Sequence, residues 1–265
     1  MRLSVLQITD THLRATAGQR LLGVDTQASL EAVLTAAFAV RIPDAVLVTG
    51  DIAHDPEPAT YERFVALFES YYKGPRLLLA GNHDLWAPLL PHQQQAGSRA
   101  PTAEVLSIGA WDLIGLDSHL DDEPGACPPE RLLERLQSAC ADARRAARHV
   151  LIALHHPLIP VGSPWLDKDR VHNSDLLLEW LSEHSTAKAV VFGHAHQIVE
   201  SIFRDIQLLG APSTCFQFAP HTEKFTIDDR MPGCRWLFLE TDGRVSTQVQ
   251  RLDDFPLTLD LTQRH

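Results

Sequence analysis

The chain has 265 residues, and 23 basic against 34 acidic side chains give a formal charge of −11. With 45% apolar and 22% charged residues it is neither a disordered tail nor a fibrous repeat, and no apolar run exceeds five residues, against roughly 20 for a membrane-spanning helix. The acidic balance argues against a nucleic-acid partner, which needs a basic stripe to neutralise phosphates.

The first residues turn polar at Thr9-Asp10 before a signal-peptide core can form. Cys127, Cys140, Cys215 and Cys234 are far apart and make no C-x-x-C pair, so they read as reduced thiols, three of them packed. Both features predict a cytoplasmic protein. The length is enough for a core without staples, in one domain over 1–251 with a tail of uncertain order at 252–265.

In chain order, 2–9 reads as a β-leaning run that stops at Asp10-Thr11-His12. Leu30, Val33, Leu34, Ala37 and Phe38 recur at helical spacing and predict a helix over 25–40. Residues 44–49 form a buried strand ending at Gly50-Asp51. Pro56 and Pro58 open a helix over 59–72, and 77–80 is a third strand that stops at Gly81-Asn82-His83-Asp84. Two short strands, 103–108 and 111–117, flank a Gly109-Ala110 turn. Pro128-Pro129 start a helix reaching about residue 148, with Leu132, Leu136, Cys140 and Ala143 on one face. A strand over 149–154 ends in His155-His156, a Pro- and Gly-rich loop fills 158–172, and a helix follows over 173–184. The strand at 187–192 ends at Gly193-His194-Ala195-His196. Short strands alone follow, at 198–203, 206–209, 213–218, 234–240 and 244–250. Strand–helix alternation in the first two thirds predicts a parallel sheet, and the final third a second, mostly antiparallel sheet packed on it.

Each of five polar clusters thus follows a strand. The carboxyl ends of strands in an open α/β sheet face one crevice, so these clusters converge. Asp10 and His12, two apart on extended chain, point the same way, as do His194 and His196. Glycines at 50, 81 and 193 let the backbone turn and approach the crevice closely. Two carboxylates, an amide oxygen and four imidazoles have no reason to gather without a cation, because buried like charges repel. Counting ligands gives Asp10, His12 and His196 to one ion, Asn82, His155 and His194 to a second, with Asp51 bridging. Two divalent ions outweigh two carboxylates, so the centre attracts compact anions such as phosphate esters. It also supplies its own nucleophile, since metal coordination lowers the pKa of water from ~16 to about 7.

The set D-x-H, G-D, G-N-H-D, H and G-H-x-H, in this order and spacing, resembles the calcineurin-like metallophosphoesterase superfamily. The resemblance implies a four-layer α/β/β/α sandwich, two packed mixed sheets flanked by helices, and a metal-bridging hydroxide as nucleophile. It implies that Asn82, His83 and His194 meet the phosphate and that His83 protonates the leaving oxygen. Purple acid phosphatases have a tyrosine where His54 stands, and protein Ser/Thr phosphatases read G-D-x-x-D-R-G where this chain reads Gly50-Asp51-Ile52-Ala53-His54-Asp55-Pro56. Residues 50–61 and 210–218 instead resemble the class III cyclic nucleotide phosphodiesterases of bacteria. That implies hydrolysis of a small cyclic phosphodiester, 3′,5′-cyclic AMP foremost. Alternatives within the fold are a glycerophosphodiester, a 2′,3′-cyclic nucleotide, a nucleotide-sugar lipid, a monoester, or a non-catalytic scaffold. The metals expected are iron and manganese, with zinc and cobalt possible by donor type, and a homodimer is the expected assembly. Those relatives carry Asp or Gln at the position of His54, which leaves Asp55 and Asp84 as candidates to orient His83 and puts His54 between a supporting role and an exposed loop.

Other residues have plainer readings. His156, next to His155, is expected on the opposite face, packed in the core. Trp165 either stacks on a nucleobase or anchors its loop. Asn173 caps the helix that begins there, Arg144, Arg145 and Arg148 form a solvated face near a helix C-terminus, and the leucines at 176–178 are core.

Overall fold

Leu3–Ile8 (β1) is buried along its whole length, as a central strand covered on both faces requires. The computed structural model describes residues 2–95, 103–120 and 125–260; residues 261–265 of the expected tail lie outside these. After β1 come a small hairpin, Arg20–Leu21 (β2) and Val24–Asp25 (β3), then Thr26–Val40 (α1), Ala45–Thr49 (β4), Pro58–Tyr71 (α2), Arg76–Leu79 (β5) and Trp86–Gln95 (α3). Ala103–Ile108 (β6) and Trp111–Leu116 (β7) form the expected hairpin, followed by Pro129–Arg145 (α4), His149–Ala153 (β8), Pro164–Asp167 (α5), Asp175–His184 (α6) and Ala187–Phe192 (β9). Val199–Phe203 (β10), Ile206–Gly210 (β11), Gln217–Phe218 (β12), Ile227–Asp228 (β13), Gly233–Leu239 (β14) and Val245–Arg251 (β15) complete the chain.

Two mixed sheets result, ordered β15-β14-β1-β4-β5 and β10-β11-β9-β8-β7-β6. Within the first, β1, β4 and β5 are parallel; within the second, β7, β8, β9 and β11 are. Leu3, Val5, Leu47 and Leu79 meet Trp111, Leu113, Leu151, Val191 and Leu209 between the sheets. Leu6, Ile8, Val46 and Val48 face outward against Leu30 and Phe64 of α1 and α2. On the far side Ile114, Val150 and Ile152 pack on Leu132, Leu136, Leu177 and Leu181 of α4 and α6. Strand alternation therefore produces the four layers α/β/β/α.

Apart from the two-residue antiparallel pair β12–β13, the final third builds no separate sheet. β14 pairs antiparallel with β1 and β15 antiparallel with β14, extending the first sheet, while β10 and β11 extend the second; each hairpin covers a parallel edge that would otherwise be open. The strand expected at 213–218 shrinks to Gln217–Phe218, because Ser213 Oγ bonds the Asp10 carbonyl at 2.8 Å and Thr214 N the Thr9 carbonyl at 3.1 Å. Helix α3 was hidden by its prolines, one of them, Pro91, inside the helix.

Three local readings also change. Helix α6 starts at Asp175, with Ser174 at the N-cap position; Asn173 lies before it at φ 53° and does not cap it. Leu176 is 60% exposed while Leu177 and Leu178 are buried, since three consecutive helical residues cannot share one face. Helix α4 stops at Arg145, so Arg148 leaves the solvated face and pairs with Asp112 of β7 at 2.7 Å. Beyond β15, Phe255, Leu257 and Leu259 pack on the core outside the second sheet, and Asp260 N bonds the Leu22 carbonyl at 2.9 Å.

Candidate metal centre

The loops after β1, β4, β5, β8 and β9 meet at the carboxyl ends of both sheets. Asp10, His12, Asp51, His155, His194 and His196 are all buried there. His12 Nε2 lies 3.1 Å from His196 Nε2, and His196 Nε2 lies 3.5 Å from Asp10 Oδ1. In the adjoining lobe Asn82 Oδ1 is 3.0 Å from His155 Nε2 and 2.9 Å from His194 Nδ1. Asp51 Oδ2 stands between the lobes, 3.5 Å from both His12 Nε2 and His155 Nε2. The seven residues expected to gather have gathered.

The imidazoles are set to present lone pairs inward. His155 Nδ1 donates to the Thr49 carbonyl at 2.8 Å and His196 Nδ1 to the Phe216 carbonyl at 2.8 Å; carbonyls only accept, so a neutral ring keeps its Nε2 lone pair for the centre. Asp51 Oδ1 holds the His83 amide at 2.9 Å and Asp10 Oδ1 the His194 amide at 3.1 Å. Asp10 Oδ2 and His194 Nε2 are buried with no hydrogen-bond partner, which is costly unless a cation completes them. Burial raises the Asp51 carboxyl, but the surrounding histidines, His155 first, hold it well below the usual range. Burial likewise opposes charge on His155, yet Asp51 lifts it to about 9: the carboxylate draws a proton to the place a cation would take. His194 goes the other way, pushed down by burial and then by His156 and His155. Donor chemistry and orphaned atoms both fit a two-cation centre of nitrogen and oxygen ligands.

The backbone is bent to this purpose. The clusters are not extended, as the sequence reading assumed: Asp10, His12, Asp51, His194 and His196 all have φ between 44° and 62°, the left-handed region that Asp and His tolerate better than most residues. The neighbouring glycines are fixed by contact with the donors themselves. A Cβ on Gly81 would come 2.2 Å from Asp51 Oδ1, and one on Gly193 would lie 2.1 Å from Thr9 Oγ1 and 3.0 Å from Asp10 Oδ2.

Around the donors, Asp84 organises the loops. It accepts from the amides of Ile52, Ala53 and Gly81 and from the Tyr61 hydroxyl, at 2.9–3.0 Å; burial and the Asp51 charge raise it to about 6. Asp55 accepts from Arg14 Nε at 2.7 Å and Ala15 N at 2.9 Å. His83 packs edge-on to His12 at 4.8 Å and stacks on His54 at 4.9 Å. Burial, then His83 and Arg14, push His54 down to about 4, so it is a neutral ring beside His83. His156 is buried, but not on an opposite face. Its ring sits 4.9 Å from His155 and 5.0 Å from His194, with Nδ1 2.9 Å from Ser118 Oγ. Strand β8 ends at Ala153, so alternation no longer governs residues 155 and 156. Sequence reasoning also missed Tyr61 and Ser118, which no motif spacing marks.

A cavity of about 300 Å³ opens on the donors and is also lined by Trp165, Leu166, Lys168, Asp169 and Phe218. Trp165 Nε1 donates to Thr222 Oγ1 at 3.2 Å, so the tryptophan does anchor its loop, and it lines the cavity as well.

The calcineurin-like phosphoesterase family pattern matches residues 3–198. The chain is 38% identical over 254 residues to the 3′,5′-cyclic adenosine monophosphate phosphodiesterase CpdA of Escherichia coli K12, covering 96% of this chain and 91% of that one. It is 36% identical to the CpdA of Pseudomonas aeruginosa, over 97% and 92% of the two chains. In fold it is similar to a dimetal phosphatase from Danio rerio, with a TM-score of 0.63 at 15% identity over 94% and 98% of the two chains. With sequence, layer order and donor cluster in agreement, the chain belongs to the calcineurin-like phosphoesterase family and is a phosphoester hydrolase.

Proposed function

We propose that this protein hydrolyses a small cyclic phosphodiester, 3′,5′-cyclic AMP foremost, to the 5′-monoester. The observation that carries the chemistry is Asp51 Oδ2, equidistant at 3.5 Å from an imidazole of each lobe; the names of the relatives support the choice of substrate. Asp10, His12 and His196 would hold one cation, Asn82, His155 and His194 the other, and Asp51 both. Nitrogen and oxygen donors of this kind suit iron and manganese, and also zinc and cobalt. Such cations supply Lewis acidity toward phosphoryl oxygens and activate water as the nucleophile.

The protein's own groups do the rest. Asn82 and His194, at the cavity wall, orient the phosphoryl oxygens. His83 is half-buried on the same wall, with its amide pinned to Asp51. Its imidazole hands a proton to the 3′ oxygen as the phosphorus–oxygen bond breaks and water's oxygen joins phosphorus. With both cations bound the pocket would be positive within an acidic protein, which favours a compact anion that reaches the centre over a polyanion that must lie along the acidic surface. The four buried free cysteines suit a reducing compartment, and on that ground we propose the cytoplasm as the site of the activity; no helix among the described residues is long and apolar enough to cross a membrane.

The test is a side-by-side comparison of 3′,5′-cyclic AMP, 2′,3′-cyclic AMP, a glycerophosphodiester and nitrophenyl phosphate on the metal-loaded enzyme. The highest kcat/KM is expected for 3′,5′-cyclic AMP. A glycerophosphodiester or a monoester leading the series would replace this substrate assignment and leave the metal chemistry standing.

A further inference from the structure

We infer that the loops at 158–172 and 219–233 together form a nucleobase-binding wall, with Trp165 as the stacking residue that sets affinity for the cyclic nucleotide. The inference rests on the substrate reading above and adds the residue that holds the non-reacting end of that substrate.

Neither loop has a sequence pattern, yet the structure clasps them together. Trp165 Nε1 bonds Thr222 Oγ1 at 3.2 Å, and Thr222 Oγ1 in turn donates to the Ala219 carbonyl at 3.1 Å. Thr222 N reaches Ser163 Oγ at 3.4 Å. Gly162, at φ 85°, passes so close to His221 that a Cβ there would lie 2.6 Å from its Nδ1. Asp167 closes the turn from within, accepting from the amides of Val161 and Gly162 at 2.6 and 3.2 Å.

The aromatic rings continue from this clasp to the metal centre. Trp165 packs edge-to-face with Phe218 at 5.0 Å and with Phe225 at 5.2 Å. Phe218 stacks on His196 at 4.2 Å and 17°. Trp165 and Phe218 therefore border the same cavity as Asn82, His83 and His194. A cyclic nucleotide whose phosphate sits among those three places its sugar and base in the rest of the cavity, where the rings of Trp165 and Phe218 lie beside Leu166, Lys168 and Asp169.

The indole N–H is already bonded within the protein, so Trp165 offers the ligand ring surface and no donor for an anion. A ring held on several sides is ordered before the ligand arrives, which spares entropy on binding. Stacking tolerates any base, because every base has a π-face. The same substitution should therefore weaken cyclic AMP and cyclic GMP together.

The experiment compares wild type, Trp165→Ala, Trp165→Phe and Thr222→Val, all metal-loaded. For Trp165→Ala the KM for 3′,5′-cyclic AMP is expected to rise ~5- to 150-fold, with kcat nearly retained. The inhibition constant of inorganic phosphate, which has no base, should stay at the wild-type value. Trp165→Phe should recover most of the loss, and Thr222→Val, which frees the indole but keeps the ring, should fall between. Titration with 5′-AMP should quench tryptophan fluorescence in wild type and much less in Trp165→Phe. An unchanged KM in Trp165→Ala overturns the stacking role while the substrate reading stands. Phosphate inhibition weakening in step with KM also overturns it, because the loop would then be acting as a structural support of the metal centre. Absence of cyclic AMP turnover by wild type itself brings down the substrate reading and this inference together.

Discussion

His83 is the residue on which ligand and catalyst roles divide. It lies within reach of His12 and His54, and the three could hold an ion among themselves. The two lobes joined by Asp51, however, are complete without it. Replacing His83 by alanine is expected to lower kcat by about 10²–10⁴-fold, the usual share of a positioned proton donor, with metal content by elemental analysis equal to wild type; loss of metal would make His83 a ligand. That the seven residues converge could be read from the sequence because each stands two to four residues past the end of a buried apolar strand. His156 could not be placed so. Its position depends on Ser118, 38 residues earlier, and on the chain leaving strand geometry after Ala153. Nor could Asp84 be resolved from Asp55, since both adjoin motifs and differ only in the contacts their loops make.

Among the elements, the loops leaving β1 and β4 are joined side by side. Leu13 and Ala53 form a parallel bridge, His54 N bonds the Leu13 carbonyl at 2.9 Å, and Arg14 pairs with Asp55 at 2.7 Å. Burial is the largest single influence on the Asp55 carboxyl and raises it, but the Ala15 amide and the Arg14 guanidinium together outweigh burial and hold it below its ordinary value. A carboxyl depressed in the folded state stabilises above its unfolded pKa, ~3.9, and loses that contribution as pH falls through the folded value. Asp55→Asn should therefore cost about 1 kcal/mol or less near pH 7, and its melting temperature should converge on wild type below about pH 4. Melting curves from pH 2 to 8 measure this; a gap independent of pH would assign the loss to packing. Strands and long helices were legible where apolar runs were buried on both faces, as in β4 and β8. Helix α3 was not, because its prolines mimic a loop, and β12 was overestimated because the Ser213 and Thr214 bonds to the first loop take over residues that alternation would give to a strand.

For the molecule as a whole, the centre adds a tie between two sheets that also meet through apolar contact. A few buried polar bonds join them too, such as Gln7 Nε2 to the Phe192 carbonyl at 3.0 Å and Arg235 to the Gly210 carbonyl at 2.9 Å. Asp10, His12, Asp51 and Asn82 come from the first sheet, His155, His194 and His196 from the second. A cation that binds only the folded chain adds stability by mass action, about 2.7 kcal/mol when free metal is 100-fold above its Kd. In a chain of this size that is roughly 5–10 °C in melting temperature. Calorimetry of chelator-treated and reloaded protein should show this shift, and Asp51→Asn should lose most of it. Equal melting temperatures with and without metal would mean that the two sheets do not depend on the ions for cohesion. Residue patterning alone suggests one parallel and one mostly antiparallel sheet, and only the family resemblance implies that both are mixed, because where a hairpin from the final third docks depends on which parallel edge is open.

Five donors share a left-handed main chain, and that fact restricts how this centre can change. The twist is held by hydrogen bonds such as Asp10 N to the Gly50 carbonyl and His12 N to the Asp51 carbonyl, at 3.0 and 2.9 Å, so the main chain itself aims these side chains at the crevice. Positions of this kind accept Asp, Asn or His and resist β-branched or bulky residues. Drift in metal preference is thereby channelled away from wholesale ligand exchange and toward the flanking groups that tune each donor, such as the carbonyls that fix the imidazole tautomers.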